Sequence, residues 1–177
     1  LQGPAFACDG NEFRISPNGQ RMAVAGSGVY VRDATTGAEQ LKLTDGTPMV
    51  DVDWSSDGQR IAVVRPSGKV EIRNATTGDV VREFADDRGA CNGVKWSPDG
   101  RWLAATGSAA ATLRAWDAET GDVRWNADGI RGRTMPGNSC DWSPDSKELA
   151  YSKQDGSIVR VDANTGEARG PVLPPRV

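Results

Sequence analysis

The 177-residue sequence contains no histidine, and that absence removes more chemistry than any other feature. Without imidazole there is no Ser-His-Asp or Cys-His nucleophile pair, no His-ligated metal, and no side chain whose ordinary pKa lies near neutrality. Cysteine is scarce as well. Cys8, Cys91 and Cys140 are odd in number, far apart and free of any CxxC pattern, so they specify neither a disulfide framework nor a zinc site and are expected as buried thiols. No run approaches the about 20 apolar residues of a membrane-spanning helix, and the N-terminus shows no basic segment followed by an apolar one. Membrane insertion is not expected, and the cytoplasm is the expected compartment. Basic clusters are missing too: the net charge is −3 and basic residues never gather beyond a pair, which argues against a nucleic-acid partner. No cofactor or metal is implied, and an enzyme here would be limited to carboxylate or lysine chemistry.

What the sequence does contain is a repeat. One turn recurs as Ser16-Pro17-Asn18-Gly19, Ser55-Ser56-Asp57-Gly58, Ser97-Pro98-Asp99-Gly100 and Ser143-Pro144-Asp145-Ser146, at spacings of 39, 42 and 46 residues. A second series follows: Asp33-Ala34-Thr35-Thr36-Gly37, Asn74-Ala75-Thr76-Thr77-Gly78, Asp117-Ala118-Glu119-Thr120-Gly121 and Asp162-Ala163-Asn164-Thr165-Gly166. Both have turn chemistry. Pro presets φ at the first corner, Asp or Asn bonds nearby backbone, and Gly accepts the positive φ that returns the chain to a strand. Ser146 departs from Gly, so that corner is expected to carry strain or adopt another turn.

The runs between the turns alternate as strands do. Before the first turn stand Phe13-Ile15, Val52-Trp54, Val94-Trp96 and Cys140-Trp142, apolar at every second residue. After it come Met22-Ala23-Val24, Ile61-Ala62-Val63, Leu103-Ala104-Ala105 and Leu149-Ala150-Tyr151, with alanine central in all four, as close packing of adjacent sheets would require. A third run ends at the Asp or Asn of the second series, and a more polar fourth follows each Thr-Gly. Four strands per period of about 43 residues predict an all-β chain of four consecutive four-stranded antiparallel β-propeller blades, near residues 8–43, 44–85, 86–127 and 128–175.

At these residues the chain resembles the WD-repeat family, whose blades run strand, Ser-Pro-Asp-Gly, strand, a third strand ending in Trp-Asp, then a Thr-Gly turn. The Trp-Asp pair survives once, as Trp116-Asp117; the other copies read Arg32-Asp33, Arg73-Asn74 and Val161-Asp162, and the Gly-His dipeptide of many family repeats is absent. The resemblance runs from about residue 11 to 173 and implies a protein-binding scaffold, working through loops on one rim and through the central channel.

Candidate contacts follow from that architecture. The loop Gly129 to Pro136 is the most individual and offers Arg131, Arg133 and Met135; Arg88, Met49 and Lys153 are expected on the same rim. The nearest carboxylate pairs for histidine-free hydrolysis are Asp51 with Asp53 and Asp86 with Asp87, and solvation or ion pairing explains either more simply. Trp54, Trp96 and Trp142 share one strand position and read as core, which leaves Trp102, Trp116 and Trp125 to stack on a sugar if the chain is instead a propeller enzyme or carbohydrate-binding domain. Finally, Arg14, Asp53, Lys95 and Asp141 hold the same place in the inner strand and alternate in sign. The WD-type rings resembled here usually have seven or eight blades, although propellers in general close with about 4–8, so four blades continuing that alternation predict half of an eight-bladed ring completed by a second copy, with a compact four-bladed monomer or a fragment of a longer propeller as the alternatives.

Overall fold

The computed structural model describes residues 12–84, 91–107, 113–127, 140–153 and 157–170. Among these residues there is no helix; the strands form four antiparallel sheets, each a meander in chain order. The first sheet comprises β1 (Glu12–Ile15), β2 (Arg21–Ala25), β3 (Val29–Asp33) and β4 (Glu39–Leu43); the second comprises β5 (Asp51–Trp54), β6 (Arg60–Val64), β7 (Val70–Asn74) and β8 (Val80–Phe84). The third holds β9 (Cys91–Trp96), β10 (Trp102–Gly107), β11 (Leu113–Asp117) and β12 (Val123–Ala127), and the fourth β13 (Cys140–Trp142), β14 (Glu148–Ser152) and β15 (Ile158–Asp162). Where an outer strand would run in the fourth sheet, a single bridge joins Val161 to Ala168. Gly170 then turns the chain at φ 75°.

Both turn series hold themselves by local bonds. In the first, each Ser hydroxyl donates to the Asn or Asp two residues on, at 2.6–2.8 Å, and accepts the N–H five residues on, so Arg21, Arg60, Trp102 and Glu148 enter the second strand in register. In the second, the side-chain oxygens of Asp33, Asn74, Asp117 and Asp162 each accept the N–H groups two and three residues ahead. This explains why the acidic half of the Trp-Asp pair, or its amide equivalent, persists in every copy. It closes a turn of its own blade, whatever precedes it. Ser146 stands at φ 58°, the left-handed conformation its glycine counterparts adopt, and its hydroxyl accepts the Asp99 N–H at 3.0 Å from the previous blade's turn.

The core lies between the sheets. Each blade presents one face to the blade after it, called forward here, and the opposite face, called rear, to the blade before. Ala23, Ala25, Val29 and Val31 on the forward face of the first blade pack with Val52, Trp54, Ile61 and Val63 on the rear face of the second. The second joint repeats this with Ala62, Val64, Val70 and Ile72 against Val94, Trp96, Leu103 and Trp116. In the third, Ala104, Leu113, Ala115 and Trp125 meet Cys140, Trp142, Leu149 and Val161. Each large side chain buried there contributes about 1.5–3 kcal/mol, so blade stability resides mainly in these joints. Polar ties reinforce them. Trp54 Nε1 donates to Arg14 O at 3.0 Å and Trp142 Nε1 to Lys95 O at 3.1 Å, each reaching the previous blade, whereas Trp96 Nε1 stays in its own turn on Gly100 O. Arg21 bonds Gly58 O and Ala75 O of the next blade and lies over the Trp54 ring at 4.8 Å.

Candidate functional site

The inner strands gather the charged residues that the repeat aligned. Arg14 pairs in register with Ala23, Asp53 with Ala62, Lys95 with Ala104 and Asp141 with Ala150, so the four occupy one equivalent position in four sheets. Arg14, Lys95 and Asp141 border a common cavity of about 360 Å³, together with Cys140, Tyr151 and Ile158. Asp53 is not among the groups bordering it. The cavity therefore offers two cations and one acid beside an aromatic and an aliphatic wall.

Asp51 and Asp53 work as fasteners between the second and third blades. The carboxylate of Asp51, only 4% exposed, accepts Val52 N–H at 2.9 Å and, across the joint, Val94 N–H at 3.0 Å; Asp53 accepts Trp96 N–H at 2.8 Å. Burial raises both pKa values, against the opposing pull of these N–H donors and of Arg14 and Lys95. Arg14 stands 3.7 Å from Asp51 and donates to Phe13 O at 2.8 Å. The alternation of Asp51 and Asp53 along one strand was legible in the sequence; the backbone donors from another blade were not. With their oxygens committed in this way the pair is structural, and among the described residues no cluster of three metal-ligating side chains exists.

A second buried carboxylate sits at the rim side of the second blade. Glu71, 1% exposed, takes Arg65 Nε at 2.9 Å and Arg73 Nη2 at 2.6 Å. Burial opposes its ionisation, but the two guanidiniums prevail and hold its carboxyl below the usual range. Arg65 also pairs with Asp45 at 2.9 Å, which ties the rim loop of residues 44–49 to the next blade.

The remaining sequence candidates fall in several places. Met49 does not stand out on the rim: it is 5% exposed and belongs to the first joint, drawn in as its N–H donates to Gly26 O at 2.7 Å. Lys153 is half-buried in the turn after β14, its N–H donating to Ser157 O at 2.8 Å. Arg88, Arg131, Arg133 and Met135, and the pair Asp86 and Asp87, lie outside the described residues. Trp102, Trp116 and Trp125 are 3%, 1% and 7% exposed, because strand alternation turns them into the joints; none presents a ring face to a sugar. Cys140 is buried, and burial pushes its thiol up to about 12.

A family model described as eukaryotic translation initiation factor eIF2A matches residues 13–162. The chain belongs to that family of WD-repeat propellers. Relatives named as WD-repeat proteins agree with the blade assignment. The chain is 26% identical over 160 residues to the COMPASS component SWD3 of Saccharomyces cerevisiae, covering 86% of this chain and 48% of that protein. It is 26% identical over 114 residues to an uncharacterised WD repeat-containing protein of Synechocystis, covering 63% and 32%, and 28% identical over 116 residues to human WD repeat-containing protein 36, covering 58% and 13%. The chain thus spans less than half the length of these relatives. At the family level WD-repeat proteins are protein-interaction scaffolds.

Proposed function

We propose that this chain is a non-catalytic protein-interaction scaffold that works as one arc of a closed propeller and holds its partner at the inner-strand end of the blades. The observation that supports this most is the convergence of Arg14, Lys95 and Asp141, from three different blades, on one cavity of about 360 Å³. Charges of both signs beside Tyr151 and Ile158 suit a polypeptide better than a reacting small molecule. The carboxylates that an enzyme would need are bonded to backbone N–H groups, and the tryptophans that a sugar would need are in the joints.

The test is affinity capture with mass spectrometry, using the wild-type chain, Lys95→Glu, and the double change Arg131→Glu with Arg133→Glu. A partner retained by wild type and lost with either variant, at unchanged melting temperature, is the expected result. Capture indifferent to both variants, or turnover in a glycosidase or esterase screen, would overturn the reading.

Ring completion belongs to the same proposal. The alternation of sign from Arg14 to Asp141 suggests a second copy joined head to tail as an eight-bladed ring, and light scattering tests it through a dimer mass.

A further inference from the structure

Among the described residues, every arginine but two donates a side-chain hydrogen bond or stands in an ion pair. The exceptions are Arg101 and Arg124, both exposed. Both lie against one ring. Their guanidinium carbons stand 4.4 and 5.4 Å from the centroid of Trp102, which is only 3% exposed and packed into the third joint. Strand pairing brings them there. Trp102 opens β10 just after the first turn of the third blade and pairs in register with Asp117, just before the second, while Arg124 sits at the bulge where β12 slips against β11. The three residues therefore share the turn end of the blade, opposite the end that carries the rim loop of residues 44–49.

The fourth blade shows the same place neutralised from within. Counted from the same turn residues, Glu148 holds the position of Trp102, Lys147 that of Arg101 and Arg169 that of Arg124. There Arg169 pairs with Glu148 at 4.0 Å and with Asp162, and Lys147 pairs with Asp145 at 3.6 Å. In the third blade a tryptophan replaces the acid. The carboxylates that remain at its turn end are spent within their own turns: Asp99 on Arg101 N–H, Asp117 on the N–H groups of Glu119 and Thr120, Asp122 on the Thr120 hydroxyl. None of them forms an ion pair with Arg101 or Arg124. Each guanidinium thus keeps its N–H fork uncommitted, and such a fork takes a carboxylate bidentately. Stacking on the indole fixes its plane beforehand, so less freedom is lost when an anion docks.

We infer that Arg101 and Arg124 form a docking point for an acidic segment of a partner polypeptide, whose carboxylates supply from outside what Glu148 supplies within the fourth blade. Trp102 is the rigid backing that orients the two cations. This contact is separate from the cavity bordered by Arg14, Lys95 and Asp141 and does not depend on how that cavity is used.

The probe is an octaglutamate peptide, titrated into the full chain at low salt and followed by the arginine Nε–H signals in nitrogen–proton correlation spectra. Those of Arg101 and Arg124 should shift together, ahead of the paired arginines, and an octaglutamine peptide should move neither. Arg101→Gln and Arg124→Gln should each weaken binding by about tenfold, and Arg124→Lys, which keeps the charge but loses the fork, by about threefold. If a glutamine variant unfolds by circular dichroism, Arg124→Lys decides, since it keeps a cation over the ring; unchanged affinity there overturns the inference. If the arginines serve only to cover Trp102, the glutamine variants lower the melting temperature and leave octaglutamate binding unchanged, which overturns it too. So does a peptide that shifts all arginine signals alike or none of them, and so does inorganic phosphate moving the two signals where octaglutamate does not. The capture experiment with Lys95→Glu decides the scaffold reading separately.

Discussion

Gly166 tests where the stability of this arc resides. It sits in the second turn of the fourth blade at φ 72°, and a Cβ added there would lie 2.7 Å from Cδ2 and 2.8 Å from Cε3 of Trp125, on the outer strand of the blade before. Gly19, in the first turn of the first blade, has φ 73° and nothing within 4 Å of an added Cβ. The two therefore share the backbone penalty and differ in packing. Placing a Cβ in the left-handed region costs about 1–2 kcal/mol. Forcing a rigid ring out of a filled joint costs about 1–3 kcal/mol more. The displaced ring also strains the bond from Trp125 Nε1 to Ala163 O at 2.8 Å. Gly19→Ala should then destabilise by about 1–2 kcal/mol and Gly166→Ala by about 2–5 kcal/mol. Gly78→Ala should fall between, since the group its Cβ meets is a methyl of Leu43 that can rotate away. Equilibrium urea unfolding followed by tryptophan fluorescence reads all three as shifts in midpoint. Equal shifts for Gly19→Ala and Gly166→Ala would refute the argument that the joints, rather than the blades themselves, carry the packing.

Asp51→Ala should destabilise by about 1–3 kcal/mol, because it leaves the Val94 N–H without its acceptor. Burial raises the Asp51 pKa, so the folded chain holds that proton to higher pH than the unfolded chain, and the contribution of Asp51 falls as pH rises from the ordinary carboxylate range through the raised value. The advantage of wild type over Asp51→Ala should accordingly be larger near pH ~4 than near pH ~7 in paired urea melts; the reverse order would contradict the assignment. Ser146→Gly relieves a left-handed residue but loses the bond to Asp99 N–H, so its midpoint should move by less than about 1 kcal/mol, while Ser146→Ala keeps the strain, loses the bond and should cost about 1 kcal/mol. Cys140 should resist alkylation at neutral pH in the folded chain and react on unfolding, as peptide mass spectrometry would show; ready labelling of the native protein would mean that the third joint opens.

The tryptophans show where reading by position alone stops. Trp54, Trp96 and Trp142 were recognisable as core because they recur at one strand position. Trp102, Trp116 and Trp125 do not recur, so nothing in the sequence distinguishes a buried ring from one free to stack on a ligand; the sheets turn all three into joints. Met49 failed for a related reason. It lies in a connection between blades, where position suggests solvent, but its N–H is bonded to Gly26 O and its side chain follows the backbone inward.

By itself the sequence determined the fold class, the number of blades, the turns and the shared inner-strand position of Arg14, Asp53, Lys95 and Asp141. These depend on interactions a few residues long: a Ser hydroxyl, an Asp side-chain oxygen, a glycine at positive φ, the alternation of side chains along a strand. Tertiary structure alone decided which face of each blade meets which neighbour. A blade buried on both sides is apolar at both strand parities, so alternation carries no direction. Only stacked sheets show that Asp51 serves a backbone N–H forty-three residues away and that Arg14 and Asp141 border one cavity.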